Sequence, residues 1–365
     1  MDRPAVLRSL TRPQLVTLVA ALATTVIAAL AEFTSSSEVA RFVLAGLALA
    51  ALAAVVGQSI EQVGERLGPG ATGLLQSTLG NLPELLVGIF ALRAGLTTVV
   101  QAALVGSVLG NALLVLGCAF VAGGLRHGAQ RFDPEEPRLN ATLLLLAVGA
   151  LLVPTLAHKL NTPAAAHAGA LSNACAVVLL AVYAASIPFY LRRSDRPAPA
   201  HALEEAPEES AAAWPLSQAV VILALSSLAA GWVSDWFVGA LEPATHSLGL
   251  SQTFTGLVVV AIASNAVEHA VGIRFALRAK PEFALSTTLN SPLQVALLLT
   301  PALVLLSNVV GPHRLTLVFP ALLVTALGVA AIVVVVVIYD GEYTWIEGVA
   351  LIGLYAIIAA SFWWG

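Results

Sequence analysis

Two short motifs carry the side chains in this sequence that could bind a cation. The first is Gly-Asn-Leu-Pro-Glu at residues 80–84, and the second is Ser-Asn-Ala-Val-Glu-His at residues 264–269. Each motif places a carboxylate and an amide inside a long apolar run. A charge near the middle of a bilayer costs at least about 3 kcal/mol even on a lenient insertion scale, so residues of this kind are usually functional. Glu84 and Glu268 are therefore the first candidates for a functional site.

The residues around the two carboxylates add amide, hydroxyl and backbone oxygens. Side chains three, four and seven positions apart share one face of a helix. Each carboxylate thus lies on a stripe of small or polar residues: Gly80, Asn81 and Ser77 beside Glu84, and Ser264, Asn265 and Ala261 beside Glu268. The next apolar runs carry Ser107, Asn111, Asn290, Ser291 and Gln294. These polar side chains are either further ligands or hydrogen-bond partners that join helices.

The chemistry of this set favours a hard divalent cation. The predicted metal ligands are Glu84, Glu268, Asn81, Asn265, Gly80, Ser264, Ser107, Ser291 and Gln294. Carboxylate, amide, hydroxyl and carbonyl oxygens suit Ca²⁺ better than zinc or copper. Pro83 and Pro292 each remove a backbone hydrogen bond, near Leu79–Gly80 and near Thr288 respectively. The freed carbonyls are either ligands, as in broken transporter helices, or the result of a simple kink.

Two carboxylates at this depth also predict exchange with protons. An empty site with both groups ionised holds two negative charges in a medium of low dielectric, and either a divalent cation or protons relieve that cost. We therefore expect Glu84 and Glu268 to serve alternately as Ca²⁺ ligands and proton carriers. His269 either modulates proton binding at Glu268 and relays a proton, or is a packed core side chain.

The composition places the chain in a membrane. Hydrophobic residues make up 58% of the sequence and charged residues 10%, with a mean hydropathy of +0.90, whereas soluble domains are about 25% charged. No basic face interleaved with aromatic residues is evident, so nucleic acid is not an expected partner. The expected partners are the lipid bilayer and the ions Ca²⁺ and H⁺, without a cofactor. A homo-oligomer is left open.

Continuous apolar runs of about 20 residues predict transmembrane helices rather than a barrel. We count eleven: 14–33, 39–63, 71–92, 99–124, 139–158, 167–191, 215–239, 251–277, 283–306, 315–338 and 344–364. The first run could belong to a signal peptide, but it is longer than the roughly 7–15 apolar residues of such a segment. We therefore expect it to be a retained helix.

The distribution of Lys and Arg predicts the orientation. With the N-terminus in the cytoplasm, thirteen of the 17 Lys and Arg residues fall on the inner side and four on the outer side, as the positive-inside rule requires. The chain is then a multi-pass protein of the cell or inner membrane, with its C-terminus outside.

The two motifs belong to halves that resemble each other. Asn81 is separated from Asn265 by the same interval that separates Glu84 from Glu268, and we call this spacing the repeat interval. We predict an N-terminal arm and extra helix at 1–38, five-helix repeats at 39–191 and 214–365, and a cytoplasmic acidic loop at 192–213. An odd number of helices per repeat inverts the second copy, as in transporters with a midplane ion site. The acidic run at 204–209 is a solvated linker or a weak collector of cations.

These residues make the sequence similar to the calcium/cation–proton exchangers of the cation/Ca²⁺ exchanger superfamily. Their motifs read G-N-x-x-E in the first half and G-N-x-x-E-H in the second, and the likeness extends from about Val39 to Trp364. The resemblance implies ten core helices in inverted repeats, with Glu84 and Glu268 as the central ion-binding pair. It also implies that the helices predicted at 39–63 and 215–239 are mobile and gate access.

Several positions depart from the family pattern and affect the expected selectivity. Ser264 stands in place of a glycine, Asn290-Ser291-Pro292 replaces Gly-Ser-Ser, and Pro83 is typical of the sodium/calcium branch. Four acidic residues on the gating helices are either gating and access ligands or solvated helix ends: Glu61, Glu65, Asp235 and Glu242.

The predicted function is Ca²⁺/H⁺ antiport by alternating access, in which Ca²⁺ and protons compete for the glutamate pair. The alternative is Na⁺(K⁺)/H⁺ or Na⁺/Ca²⁺ exchange through the same site. An intramembrane hydrolase is disfavoured, because Glu268-His269 lacks the spacing of a zinc protease motif and Ser107 has no assigned base. A passive channel fits a buried titratable pair less well than alternating access does.

Overall fold

The protein is an assembly of long helices. The computed structural model describes residues 10–34, 36–67, 79–194 and 214–363. Within them, the first part of the chain forms α1 (Arg12–Glu32), α2 (Glu38–Leu67), α3 (Leu82–Arg93), α4 (Thr97–His127), α5 (Glu135–Lys159) and α6 (Ala168–Ser194). A turn of 3₁₀-helix at Pro163–His167 leads into α6.

The described residues of the second part of the chain are also largely helical. This part forms α7 (Leu216–Ser247), α8 (252–277), α9 (Pro281–Leu306), α10 (Ala321–Val337) and α11 (Trp345–Ser361). The strands β1 (Gln130–Arg131) and β2 (Glu342–Tyr343) pair antiparallel and join the α4–α5 connection to the α10–α11 connection. The predicted acidic run at 204–209 lies outside the described residues.

Seven of the described helices are long and apolar enough to cross a membrane, or eight if the bent α8 is one span. The helices α10 and α11 have 17 residues each and reach about 25 Å at 1.5 Å per residue. Residues 315–320, which the hydropathy pattern assigned to a span, precede the start of α10 at Ala321. The fold is thus an all-helical membrane protein, while the count of eleven spans stays a prediction.

Three of the described helices contain a π-helical segment, in which the backbone N–H groups bond to the carbonyl five residues earlier. The segments are Gly110–Val115 in α4, Thr255–Val260 in α8 and Val295–Leu299 in α9. The first and third end at Val115 and Leu299, which are one repeat interval apart. Segments of this kind are frequent at functional sites, and these two follow directly on Leu109 and Gln294.

The turns after α3 and α8 are also built alike. Gly95 has φ 77°, and Ala279, one repeat interval further along the chain, has φ 54°. The Leu96 N–H donates to the Ala91 carbonyl at 2.9 Å, and the Lys280 N–H donates to the Phe275 carbonyl at 3.0 Å. This left-handed helix ending normally favours glycine. Its recurrence at the same spacing agrees with two related halves, although the inverted layout itself stays a prediction.

Close backbone contact between α4 and α8 brings the two halves together. A Cβ atom on Gly106 would lie 2.1 Å from the Leu257 carbonyl oxygen, and one on Gly256 would lie 2.6 Å from the Val99 carbonyl oxygen. Only glycine fits at such a crossing, because any side chain would push the backbones apart. The crossing sets Ser107, the residue after Gly106, against the second motif.

The two predicted gating helices pack along each other. The helices α2 and α7 form an extensive contact, and α7 also packs on α3 while α2 packs on α8. Phe42 stacks on Phe237 with ring centroids 4.7 Å apart. Both helices therefore contact the elements that carry the two motifs.

Candidate cation site

The first motif lies where α3 begins. Gly80 and Asn81 form a turn, α3 begins at Leu82, and Pro83 occupies the second helical position. Proline is tolerated there because the first N–H groups of a helix have no intrahelical partner. A turn thus lies where the helix was expected to be disturbed, while the residues before Leu79, including Ser77, lie outside the described part. Glu84 is buried in the first turn of α3, with 9% of its surface exposed.

The second motif lies at a bend within α8. The axis changes direction by 67° between Gln252–Ala266 and Glu268–Leu277. Asn265 is 1% exposed, and its side-chain amide donates to the Ala261 carbonyl at 2.9 Å and to the Ser107 hydroxyl at 3.2 Å. It also lies 3.1 Å from the Ser264 hydroxyl. Asn265, just before the bend, is thus hydrogen-bonded to Ser107 of α4.

Asn111 is the centre of the polar network. Its amide lies 3.1 Å from the Ser107 carbonyl, 3.3 Å from Asn265 Oδ1 and 3.3 Å from Ser291 Oγ. Asn111 belongs to the π-helical segment of α4, where the shifted register turns this side chain toward both α8 and α9. The network therefore joins three helices at one point.

The two acidic side chains belong to this region. Glu84 and Glu268 lie close enough to interact electrostatically, and the Ser291 side chain lies beside Glu268. Asn81 donates to Gln294 Oε1 at 2.9 Å, so the first motif is tied to α9 as well. The structure thus gathers residues from both motifs and from the helices that follow them.

Several buried atoms of this region have no hydrogen-bond partner among the described residues. They are Asn81 Oδ1, Asn111 Oδ1, Glu268 Oε2 and His269 Nε2. An unsatisfied buried polar atom is rare in proteins and calls for an explanation such as a bound ion. Three of the four are oxygens, the ligand type of a hard cation.

A small cavity adjoins Glu84. It is also bordered by Ser107 and Ser264, and its other walls are apolar, including Val99, Leu241 and Leu303. Its volume is about 30 Å³, and a water molecule needs about 10–15 Å³ by the same measure. The cavity therefore holds about two waters but not a Ca²⁺ ion with its full hydration shell. It extends from Glu84 toward the end of the bundle where α3 ends and α4 begins.

Similarity to known proteins identifies the family. The model of the sodium/calcium exchanger protein family matches residues 37–191 and 218–364. The chain belongs to this family. The match includes both motifs and all helices from α2 to α11, whereas α1 precedes it.

Relatives of this exchanger are named Ca²⁺/H⁺ antiporters. The Ca²⁺/H⁺ antiporter of Synechocystis sp. is 36% identical over 342 residues, which cover 89% of this chain and 91% of the relative. The Ca²⁺/H⁺ antiporter ChaA of Bacillus subtilis is 31% identical over 320 residues, covering 86% and 88%. The solved structure of native YfkE has 29% identity and a TM-score of 0.78, covering 96% of this chain and 99% of that one. The predicted family resemblance is confirmed.

Of the other predicted site residues, Ser264 lies next to the Asn111 network, and the acidic residues of α2 and α7 do not belong to that network. Ser264 borders the cavity, and its hydroxyl donates to the Val260 carbonyl at 3.0 Å. Glu61, Asp235 and Glu242 are exposed on α2 and α7, and the side chain of Glu65 lies outside the described part. Their gating or access roles stay predictions. Pro292 was expected to disturb the helix near Thr288, but Thr288 lies in a regular α-helical part of α9. The irregular backbone is the π-helical segment Val295–Leu299, which follows the proline.

Sequence reasoning underrated two amides. Asn111 was expected beside the site, but its position as the common partner of Asn265 and Ser291 depends on a π-helical turn that periodicity does not reveal. Asn140 in α5 was missed altogether. It is 1% exposed and donates to Asn290 Oδ1 at 2.8 Å. A single amide within the apolar run at 139–158 is the signal that could have identified it.

Proposed function

We propose that this protein is a Ca²⁺/H⁺ antiporter in which Glu84 and Glu268 bind Ca²⁺ and protons in turn. The observation that supports it most directly is the electrostatic proximity of these two carboxylates in a region of buried amide and hydroxyl groups. The names of the relatives point to the same ions. The proposed role of each glutamate rests on its place within an apolar helix and on the ability of a carboxylate to bind either Ca²⁺ or a proton.

The proposed ligands provide the oxygens that Ca²⁺ requires. Ca²⁺ takes about six to eight oxygen ligands at about 2.3–2.6 Å. The carboxylates supply charge, and further oxygens come from Asn81, Asn265, Gly80, Ser264, Ser107, Ser291 and Gln294. Within the described residues, no three His, Cys, Asp or Glu side chains form a cluster, so the amides and hydroxyls complete the shell in this proposal.

Competition between the two ions couples their movements. When Ca²⁺ leaves, two neighbouring buried carboxylates repel each other, and protons then neutralise them. Returning Ca²⁺ displaces the protons, so the two ions move in opposite directions through one site. His269, whose Nε2 is buried without a partner among the described residues, assists proton transfer at Glu268 in this proposal.

Alternating access is proposed to arise from movement of α2 and α7 against the elements that hold the site. These two helices pack on each other and on α3 and α8. We place the protein in the cell or inner membrane with the N-terminus in the cytoplasm, as the charge distribution predicts. Ca²⁺ is then exported by protons that enter.

The test is Ca²⁺ uptake by proteoliposomes under an imposed pH gradient. Wild type should take up Ca²⁺ against the proton flux without Na⁺, and Glu84→Gln and Glu268→Gln should each reduce the rate by at least about a hundredfold. Glu347→Gln is the matched control, since Glu347 caps the start of α11. Uptake that requires Na⁺, or normal uptake in either glutamine variant, contradicts the proposal.

A further inference from the structure

A fully buried tryptophan ties the start of α7 to α1 and α2. Trp214 lies two residues before α7 begins. Its indole Nε1–H donates to Gln14 Oε1 of α1 at 3.1 Å, and its backbone N–H donates to Gln62 Oε1 of α2 at 2.8 Å. One residue thus bonds to two neighbouring helices at the point where the third begins.

The Gln14 side chain is held in place for this contact. Its Oε1 also accepts the Thr11 N–H at 3.0 Å, and the Thr11 hydroxyl accepts the Gln14 N–H, which makes a capping box at the start of α1. A carbonyl oxygen has two lone pairs, so both acceptor positions of this amide are used. The Trp214 ring packs in a small apolar cluster with residues of α2, of α7 and of the segment before α1: Val63, Ala219, Ile222 and Leu10.

Two further contacts join α1 to the same helices. One turn along α1 from Gln14, the Thr17 hydroxyl accepts a hydrogen bond from Gln58 Nε2 of α2 at 3.1 Å. At the opposite end of α1, the Phe33 ring lies edge-on to the Trp236 ring of α7, with the centroids 6.2 Å apart. The helix α1 also packs along α2 and contacts α7. It is therefore fastened to the predicted gating helices near both of its ends.

The contact between α2 and α8 is built differently. Gly46 of α2 faces Ala263 of α8, and a Cβ atom on Gly46 would lie 3.8 Å from the Ala263 Cβ. Small residues let two helices approach closely, and neither of these carries a side-chain polar group whose bond would break if the helices slid. Separating α1 from α7 would instead remove the Trp214 indole N–H from its acceptor, and a buried donor without a partner is costly.

We propose that α1 moves together with the gating helices, so that α1, α2 and α7 form one three-helix unit, and that Trp214 is the positioning residue that fastens α1 to the other two. This inference rests on the movement of α2 and α7 in the proposed function. The family match begins at residue 37 and omits residues 192–217. Both α1 and Trp214 therefore lie outside the matched core, and the two motifs do not predict this contact.

Such a unit couples the two sides of the membrane. The contacts of α1 at Gln14 and Phe33 are about 28 Å apart along the helix at 1.5 Å per residue, which is close to the roughly 30 Å thickness of the hydrocarbon core. Because α1 is fastened near both faces, α7 cannot tilt at one end without moving at the other. Opening on one side is then accompanied by closing on the opposite side, as alternating access requires.

Cross-links between cysteines test the unit, with Ca²⁺ uptake by proteoliposomes as the readout. The two native cysteines, Cys118 and Cys175, are first replaced by alanine. In Phe33→Cys/Trp236→Cys, a short bifunctional thiol reagent joins α1 to α7 within the unit. We expect uptake to stay within about twofold of that of the same protein before treatment.

A matched cross-link joins the unit to the rest of the bundle. In Gly46→Cys/Ala263→Cys the Cβ distance of 3.8 Å suits a disulfide between α2 and α8. Oxidation should lower uptake at least about tenfold, and a reductant should restore it. The Phe237 ring, 3.3 Å from the added Cβ, must shift slightly, so the reduced protein is the reference.

The role of Trp214 is tested by removing one hydrogen bond. Trp214→Phe keeps an aromatic ring but loses the indole N–H, so we expect the maximal rate to fall about threefold with the KM for Ca²⁺ within about twofold of wild type. Gln14→Leu removes the acceptor of the same bond, and the double variant should be no slower than the slower single variant. Trp232→Phe is the control, since Trp232 is 68% exposed on the same helix.

The outcomes separate this inference from the proposed function. If wild type does not exchange Ca²⁺ for protons, or if the α2–α8 disulfide leaves uptake unchanged, the proposed function or its gating movement fails. If that disulfide blocks uptake and the α1–α7 link blocks it as strongly, α1 does not move with α7 and the three-helix unit is wrong. If Trp214→Phe equals Trp232→Phe, or if its effect adds to that of Gln14→Leu, Trp214 does not fasten α1 through this bond.

Discussion

Glu84 and Glu268 occupy corresponding positions in two related motifs, but their surroundings differ. Glu84 begins a helix and borders a cavity whose other walls are almost entirely apolar. Glu268 follows a bend and lies beside Ser291, a member of the Asn111 network. A pair that is equivalent in sequence is therefore unequal in space. We therefore expect Glu268 to tolerate a displacement of its carboxylate less well than Glu84 does.

The largest effect should come from shortening each carboxylate in turn. Glu268→Asp draws the oxygens back from Ser291 by one methylene, and misplacement of about 1 Å can cost about a hundredfold in rate. Glu84→Asp faces a cavity that leaves room for adjustment, so we expect a loss of about tenfold. Ca²⁺ uptake under a pH gradient measures both, with Glu347→Asp as the control. Equal losses would remove the distinction between the two carboxylates.

Breaking the centre of the network should have the next largest effect. Asn111→Leu removes the donor for Asn265 Oδ1 and Ser291 Oγ, and each buried group left unpaired costs about 1–3 kcal/mol. We expect the KM for Ca²⁺ to rise about tenfold, together with a lower melting temperature. Asn173→Leu is the control, because Asn173 bonds to Asn308 far along the chain from both motifs. An unchanged KM in Asn111→Leu would show that the network does not position the ligands.

The motifs and the helical character could be read from the sequence because both depend on local chemistry. A lone glutamate beside an asparagine in an apolar run is costly wherever it lies, so its type and spacing predict function. The recurring turn at Gly95 and Ala279, by contrast, became evident only in the structure.

The geometry of the site depends on long-range packing and irregular backbone, which residue patterns do not encode. Asn111 lies in a π-helical segment and contacts both α8 and α9. A regular α-helix of about 3.6 residues per turn would orient its side chain differently, so periodicity alone does not predict these contacts. The close crossing at Gly106 requires knowledge of its partner, Leu257. The apolar cavity beside Glu84 is lined by residues of five helices. No single sequence motif therefore predicts it.

A smaller cavity beside Glu84 should have a moderate effect on Ca²⁺ uptake, because it alters the surroundings of Glu84 and not those of Glu268. A Cβ on Gly88 would lie 2.7 Å from Leu303 Cδ1, so Gly88→Ala pushes the end of a flexible side chain into the cavity. We expect the maximal rate of Ca²⁺ uptake to fall about threefold, because the smaller cavity hinders access of the ion to Glu84. The KM should stay nearly unchanged, because the ligands that bind Ca²⁺ are not altered. Gly149→Ala is the matched control, because a Cβ there meets nothing within 4 Å.

Leu303→Ala should have the reverse effect on access and thereby tests the same cavity. Removing the side chain enlarges the space next to Glu84 and should relieve the loss in Gly88→Ala when the two changes are combined. A double-variant cycle measures this coupling. Additive effects would show that Gly88 and Leu303 do not act through one cavity.

The smallest effect should come from Ser264, one of the two residues whose hydroxyl groups both regions share. Ser264 borders the cavity on the Glu84 side and lies 3.1 Å from the Asn265 amide on the other. Asn265 keeps its bonds to Ala261 and Ser107 without it, so Ser264→Ala should change the KM for Ca²⁺ by only about twofold. Ser107→Ala should do more, because Ser107 contacts Asn265 and also borders the cavity. If Ser264→Ala raises the KM more than Ser107→Ala does, this prediction is wrong. Ser264 is then a direct Ca²⁺ ligand, and the site includes the part of the cavity next to Ser264.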